Sequence, residues 1–204
     1  MRVIDHYREV FRRVGWLDAL CWVVVQPLDE EPGIDDVLWR LNGLWGLNGG
    51  RDPERRVMAY PPEEALEADA PVLFVFEDDG GWGLLEFTSG HALPEPVVGA
   101  ISERARVWMA SWRVNGGHTV LYAAGGRIRA RMRDFVFGER REEDGDPAVL
   151  AGLRAMLDGL DSGDFDGRCA AALAFIEQAA GVGFDAGEVT AENAPVVVLG
   201  TPVA

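Results

Sequence analysis

The chain contains no lysine and only two cysteines among its 204 residues. All 19 basic residues are arginine, which a GC-rich genome explains, because arginine codons are rich in GC and lysine codons are not. Cys21 and Cys169 are far apart, and each lies in an apolar stretch, so we predict two buried, reduced thiols rather than a disulfide. A chain of this length can close a core without disulfides or a metal.

Long apolar runs are also missing. The apolar run at residues 20–25 has the length of a strand and not of a bilayer span. The first residues lack the apolar core of a signal peptide, so we expect a cytoplasmic protein with no membrane partner. The net charge of −15 argues against nucleic acid as a partner.

Catalytic and metal-binding motifs are not evident in the sequence. There is no nucleophile elbow, no phosphate-binding glycine loop and no zinc spacing among the histidines and cysteines. Four aspartates precede Gly167 as in a calcium loop, but Leu173 then falls where a bidentate glutamate is required. We therefore predict no cofactor and no metal, regard an enzyme as the least favoured class, and assign a helix-capping role to one of two aspartates, Asp164 or Asp166.

The hydrophobic pattern predicts an α+β fold with a central antiparallel sheet built from hairpins. We expect one domain over residues 1–204. Region 1–70 combines a helix at 1–14, a strand and a loop. Region 71–137 holds the hairpin sheet. Region 146–193 is helical, and its first helix starts with Asp146 as the N-cap and Pro147 as the first helical residue. The acidic stretch 139–146 is interpreted as a solvated loop, and 196–199 as a last strand.

Two glycine-bearing turns predict the register of three strands. Asn115-Gly116 is the strongest short hairpin signal, and Gly125-Gly126 is a second two-residue turn. With two-residue turns, Trp112 faces Thr119 and Ala123 faces Ile128. One face would then be a core face holding Trp108, Trp112, Leu121, Ile128 and Met132.

The opposite face would carry a row of arginines, since a period of two places all four guanidinium groups on one side of a strand: Arg127, Arg129, Arg131 and Arg133. One interpretation is a solvated face whose arginines pair with carboxylates. The other is an anion site, because apolar side chains share that face. The candidate ligand-binding residues are Arg113, His118, Tyr122, Arg129, Arg131 and Arg133. Any exposed tryptophan among the seven would instead indicate a protein partner.

Residues 82–204 resemble an uncharacterised actinobacterial domain-of-unknown-function family, through Trp82-Gly83-Leu84-Leu85-Glu86, the Gly125-Gly126 turn, Asp146-Pro147 and residues 170–182. That family has no assigned activity, so the resemblance bears on the fold alone. Residues 42–87 resemble the SMI1/KNR4-like bacterial immunity proteins, through Asn48-Gly49-Gly50, residues 60–66 and Phe74-Val75-Phe76. This second resemblance implies an acidic, non-enzymatic protein that neutralises a partner protein.

Together these observations predict a non-catalytic protein-interaction module, immunity-like in character. It would bind another protein through its acidic surface or through the mixed arginine and apolar sheet face. The alternative is a small anionic-ligand-binding protein that uses the arginine-rich face. The two hypotheses differ in one respect: if helical carboxylates already neutralise those arginines, the ligand hypothesis loses its site.

Overall fold

The computed structural model describes residues 3–15, 18–29, 33–44, 53–58, 72–78, 80–86 and 92–199. Its strands are β1 (Ala19–Pro27), β2 (Glu54–Met58), β3 (Val72–Asp78), β4 (Gly81–Glu86), β5 (Ala105–Arg113), β6 (Thr119–Ala124), β7 (Ile128–Arg133), β8 (Glu142–Gly145) and β9 (Ala194–Val198). They form one nine-stranded sheet in the order β2-β9-β3-β4-β1-β5-β6-β7-β8. Every pairing is antiparallel, which confirms the predicted α+β class with an antiparallel sheet.

Helices cover both faces of this sheet. They are α1 (Val3–Val14), α2 (Ile34–Leu44), α3 (Glu95–Ser102), α4 (Ala151–Asp158), α5 (Phe165–Ala180) and α6 (Ala186–Val189). The first face of the sheet packs against α1, α4, α5 and α6. The second face packs against α2 and α3. No described helix has the length and apolarity that a membrane span requires.

The central strand β1 is buried on both faces, which explains its unbroken apolar run. Leu20, Trp22 and Val24 belong to the core of the first face. The alternate residues belong to the core of the second face. Cys21 lies on the second face and Cys169 on the first, and both are free and buried, as predicted.

Helix α5 has little polar surface because it is enclosed between α1, α4 and the sheet. It begins at the predicted cap, where the Asp164 carboxylate accepts a hydrogen bond from the Gly167 N–H at 2.9 Å. It ends at Gly181, whose φ of +75° is the left-handed conformation that favours glycine. The predicted helix after Asp146-Pro147 starts later, at Ala151, because residues 147–150 form turns first.

The predicted register of the first hairpin is wrong by one residue. Ser111, not Trp112, pairs with Thr119, because the connection is longer than two residues. Gly116 and Gly117 both have positive φ, and the Gly116 N–H donates to the Arg113 carbonyl at 3.0 Å. Two consecutive glycines thus accommodate a wider turn than Asn115-Gly116 alone would make.

The second turn has the predicted two residues. Gly125 and Gly126 have φ of +62° and +75°, and Ala123 pairs with Ile128 as expected. A bulge then shifts the ladder, so that Tyr122 pairs with Ala130 and Leu121 with Arg131. The bulge leaves one additional residue on β7, Arg129.

The predicted core face is therefore also wrong, because a one-residue slip moves side chains to the other face. Trp108, Trp112 and Met132 do share the first face. Leu121 and Ile128 lie on the second.

Two short strands, β2 and β8, were not predicted. Strand β8 is Glu142-Glu143-Asp144-Gly145, all exposed, within the stretch interpreted as a solvated loop. It carries no apolar alternation, and its pairing with β7 shows that it belongs to the sheet. Trp45, His91 and the motifs at 48–50 and 60–66 lie outside the described residues.

Candidate functional site

The six candidate ligand residues do not form one site. Arg113, Arg131 and Arg133 alternate with core residues of β5 and β7 and lie on the second face. His118 and Tyr122 contact residues of the first face. Arg129 is the bulge residue, exposed, and its Nε donates to the Ala124 carbonyl at 2.9 Å. The slip in register and the bulge thus divide the predicted surface.

Two of the arginines on the second face, Arg131 and Arg133, already have carboxylate partners. Arg131 lies 2.7 Å from Glu95, in the first turn of α3, and 4.0 Å from Asp144 on β8. Arg133 lies 2.9 Å from the same aspartate. The Arg131 side chain is only 15% exposed, because α3 covers it. One helical carboxylate, Glu95, and one strand carboxylate, Asp144, therefore neutralise Arg131 and Arg133.

His118 is part of the packing rather than of an open site. Its side chain is 1% exposed, and its Nδ1 lies 3.3 Å from the Asp134 carboxylate. The rings of Phe135, Phe137 and Phe165 meet the imidazole edge to face. The described residues offer its Nε2 no hydrogen-bond partner. Tyr122 likewise packs on Trp108, with ring centroids 4.3 Å apart.

Acidic residues concentrate where β8 meets the loops around α4. We call the surface formed by residues 134–146 and 158–166 the acidic patch. It contains ten carboxylates and two arginines, a net charge of −8 within a chain of −15. Its two segments are separated in the sequence by residues 147–157, and their approach to one another was not predicted.

Ion pairs connect the segments of the acidic patch to one another. Arg141 on the loop before β8 reaches Asp158 at the end of α4, with 3.0 Å between Nη1 and Oδ1. The Arg154 guanidinium donates to Glu143 on β8 and lowers the pKa of that carboxyl. Arg8 on α1 pairs with Asp164. The patch is therefore held by three helices and the edge of the sheet.

A buried arginine, Arg168, holds the two loops of the acidic patch together through hydrogen bonds to their backbone. Its guanidinium donates to three backbone carbonyls, those of Phe135, Leu160 and Asp161, at 3.1–3.4 Å. Because these carbonyls belong to two loops, Arg168 joins residues 134–141 to residues 159–164. The guanidinium is therefore occupied by these internal hydrogen bonds to backbone carbonyls.

Four exposed carboxylates of the acidic patch remain without an ion pair or a hydrogen bond to the described residues: Glu139, Glu142, Asp161 and Asp166. Close to them, Arg141 is held by Glu143 and Asp158, Arg168 by carbonyl groups, and Arg140 lies over the Phe137 ring. The patch thus presents negative charge to solvent on a fixed scaffold. Such charge can attract and orient a cationic partner.

One exposed tryptophan, Trp39, satisfies the condition stated for a protein partner, and Phe137 is a second exposed aromatic side chain. Phe137 belongs to the acidic patch, and Trp39 projects from α2 with 64% of its surface exposed. Trp39 shares its side of α2 with Asp35, one turn earlier, which pairs with Arg55 on β2 at 2.7 Å. Aromatic residues are enriched in protein interfaces.

The described residues do not assemble a metal site, and burial opposes nucleophilic use of their two thiols. They contain no group of three histidine, cysteine or carboxylate side chains arranged to hold a metal ion. Burial raises the pKa of both thiols, Cys21 and Cys169, which opposes their use as nucleophiles. A cavity of about 380 Å³ near Val75 and Val197 has two arginines at its rim, and both are paired with carboxylates.

Comparison with known proteins found no matching family model, no matching curated protein and no matching solved structure. The two resemblances stated above therefore remain predictions. What the chain does has to be inferred from its own surface.

Proposed function

We propose that this chain is a non-catalytic protein-interaction module that binds a basic partner protein through the acidic patch. An immunity-like protein, which neutralises a harmful partner by binding it, is the specific form that we favour. The observation that carries the proposal is the set of four exposed carboxylates on the acidic patch that have no ion pair or hydrogen bond to the described residues. Their fixed scaffold reduces the entropy lost on binding.

The shape of the surface supports a protein as partner rather than a small molecule. The carboxylates are spread over two loops, the start of α5 and the edge strand β8. As the last strand in the sheet, β8 also presents outward backbone groups to a partner. Complementary charge raises association rates and suppresses wrong partners, which is what a neutralising binder requires.

The anion-binding alternative gains no support from these contacts. Arg131 and Arg133 pair with Glu95 and Asp144, and the candidates His118, Tyr122 and Arg129 lie elsewhere. A free anion would have to displace both carboxylates. The alternative would be favoured again if sulfate or phosphate raised the melting temperature and the substitutions Arg129→Ala and Arg131→Ala removed that increase.

The experiment compares two variants that have the same net charge. The patch variant combines Glu139→Gln, Glu142→Gln, Asp161→Asn and Asp166→Asn. The matched control neutralises four exposed, unpaired carboxylates elsewhere: Asp5→Asn, Asp29→Asn, Glu103→Gln and Glu192→Gln. Each is used to retain proteins from an extract of the cells that carry the gene.

We expect basic proteins to be retained by the wild-type chain and the control, and to be lost by the patch variant. For a purified partner at low salt, we expect an association rate about tenfold lower for the patch variant. Equal retention by the patch variant and the wild-type chain would contradict the proposal. Equal loss by both variants would show that overall charge, and not this surface, attracts the partner.

A further inference from the structure

The loop after β7 presents an exposed aromatic ring on a constrained backbone. Phe137 is 41% exposed, and its N–H donates to the Asp134 carbonyl at 2.8 Å. The buried His118 ring supports it from behind, with centroids 5.1 Å apart and planes at 88°. The position and orientation of the Phe137 ring at the surface are therefore fixed in the absence of a partner.

The carboxylate of the same turn is fixed as well. Asp134 has a φ of +50°, the only positive value of a non-glycine residue in the described part of the chain. Its N–H donates to the His118 carbonyl at 2.7 Å, and its carboxylate meets the His118 Nδ1. The Asp134 side chain is still 43% exposed, so the carboxylate can accept further hydrogen bonds from outside.

A guanidinium already occupies the face of this ring. The Arg140 guanidinium carbon lies 5.9 Å from the centre of the Phe137 ring. Arg140 is exposed, and it is without a side-chain hydrogen bond or ion pair to the described residues. An exposed contact between a cation and an aromatic ring is weak, so another guanidinium could replace Arg140.

We infer that Asp134 and Phe137 form a seat for one arginine side chain of the partner, which would displace Arg140 from the face of the Phe137 ring. This inference rests on the proposed function, since it names the chemistry that the acidic patch recognises. A planar guanidinium can stack on the ring while its N–H groups donate in plane to the carboxylate. A lysine ammonium cannot satisfy both groups in this way.

The test measures the affinities of hexa-arginine and hexa-lysine peptides by calorimetry at low salt. The two peptides have equal charge, so a general attraction to the acidic chain affects both. We expect the wild-type chain to prefer hexa-arginine, and Phe137→Leu to reduce that preference by about two- to fivefold. The affinity for hexa-lysine should not change. Thermal unfolding verifies that the variant is folded.

A second pair of variants tests the displacement of Arg140. Arg140→Gln should bind hexa-arginine about two- to fivefold more tightly than Arg127→Gln, which removes an equal charge from an exposed turn. Equal affinities for these two variants would overturn the inference, as would an unchanged arginine preference in Phe137→Leu. If the patch variant binds both peptides as tightly as the wild-type chain, the proposed function itself fails.

Discussion

Gly83 lies under the ring of Trp22, and a methyl group there should destabilise the fold. A Cβ at this position would lie 2.1 Å from Cη2 of Trp22. The indole is fully buried and cannot move away from the added methyl group, because the rings of Phe76 and Phe184 pack against it. Their ring centroids lie 5.7 and 4.7 Å from that of Trp22. Inserting a methyl group into a close-packed core costs about 1–3 kcal/mol.

We expect Gly83→Ala to reach the upper part of that range, a loss of about 2–3 kcal/mol in the free energy of unfolding. For a chain of this size the melting temperature should fall by about 5–10 °C. Calorimetry and urea titration measure both quantities. Gly163→Ala is the matched control, since its Cβ would meet no atom within 4 Å.

The partner of the clash can be identified by a double-mutant cycle. Trp22→Phe shortens the ring system, so the cost of Gly83→Ala should be smaller in that background. Our description of this core would be refuted if Gly83→Ala were as stable as Gly163→Ala. It would also be refuted if the cost were unchanged beside Trp22→Phe.

Three further outcomes follow from the same contacts. Gly145→Ala places a Cβ 2.2 Å from the Arg129 carbonyl oxygen at a φ of +85°, so hydrogen exchange at β8 should accelerate while β5 stays protected. Because Arg154 lowers the pKa of Glu143, that carboxylate stabilises the fold at neutral pH and loses this effect as pH falls. Glu143→Gln should therefore lower the melting temperature at pH 7 and much less near pH 3, and an equal effect at both would contradict this. Neither Cys21 nor Cys169 should react with a thiol reagent in the native protein, whereas both should react in denaturant.

Regular elements could be predicted wherever a segment had its own periodic pattern. The apolar stripe of α1, the apolar run of β1 and the Asp164 cap each reflect interactions within a few residues. The predicted register between β5 and β6, in contrast, depended on the length assumed for one turn. The hydrophobic alternation of Trp108 and Trp112 fits either pairing, so only the glycine geometry of the turn could decide it.

The candidate site was harder to predict because it depends on long-range contacts. Arginines do alternate along the sequence of β7, but the partner of Arg131 is Glu95 on α3, which lies more than thirty residues earlier in the chain. Likewise, the two segments of the acidic patch lie together because α4 reverses the direction of the chain and Arg141 pairs with Asp158. Which carboxylates stay unpaired cannot be known until those pairings are known.

The location of the cation-binding surface is the central claim, and backbone amide chemical shifts report it directly. Titrating the ¹⁵N-labelled chain with hexa-arginine should move the resonances of residues 134–146 and 158–166 first and most. Shifts centred on Asp35 and Asp36, or spread evenly over the surface, would contradict the claim.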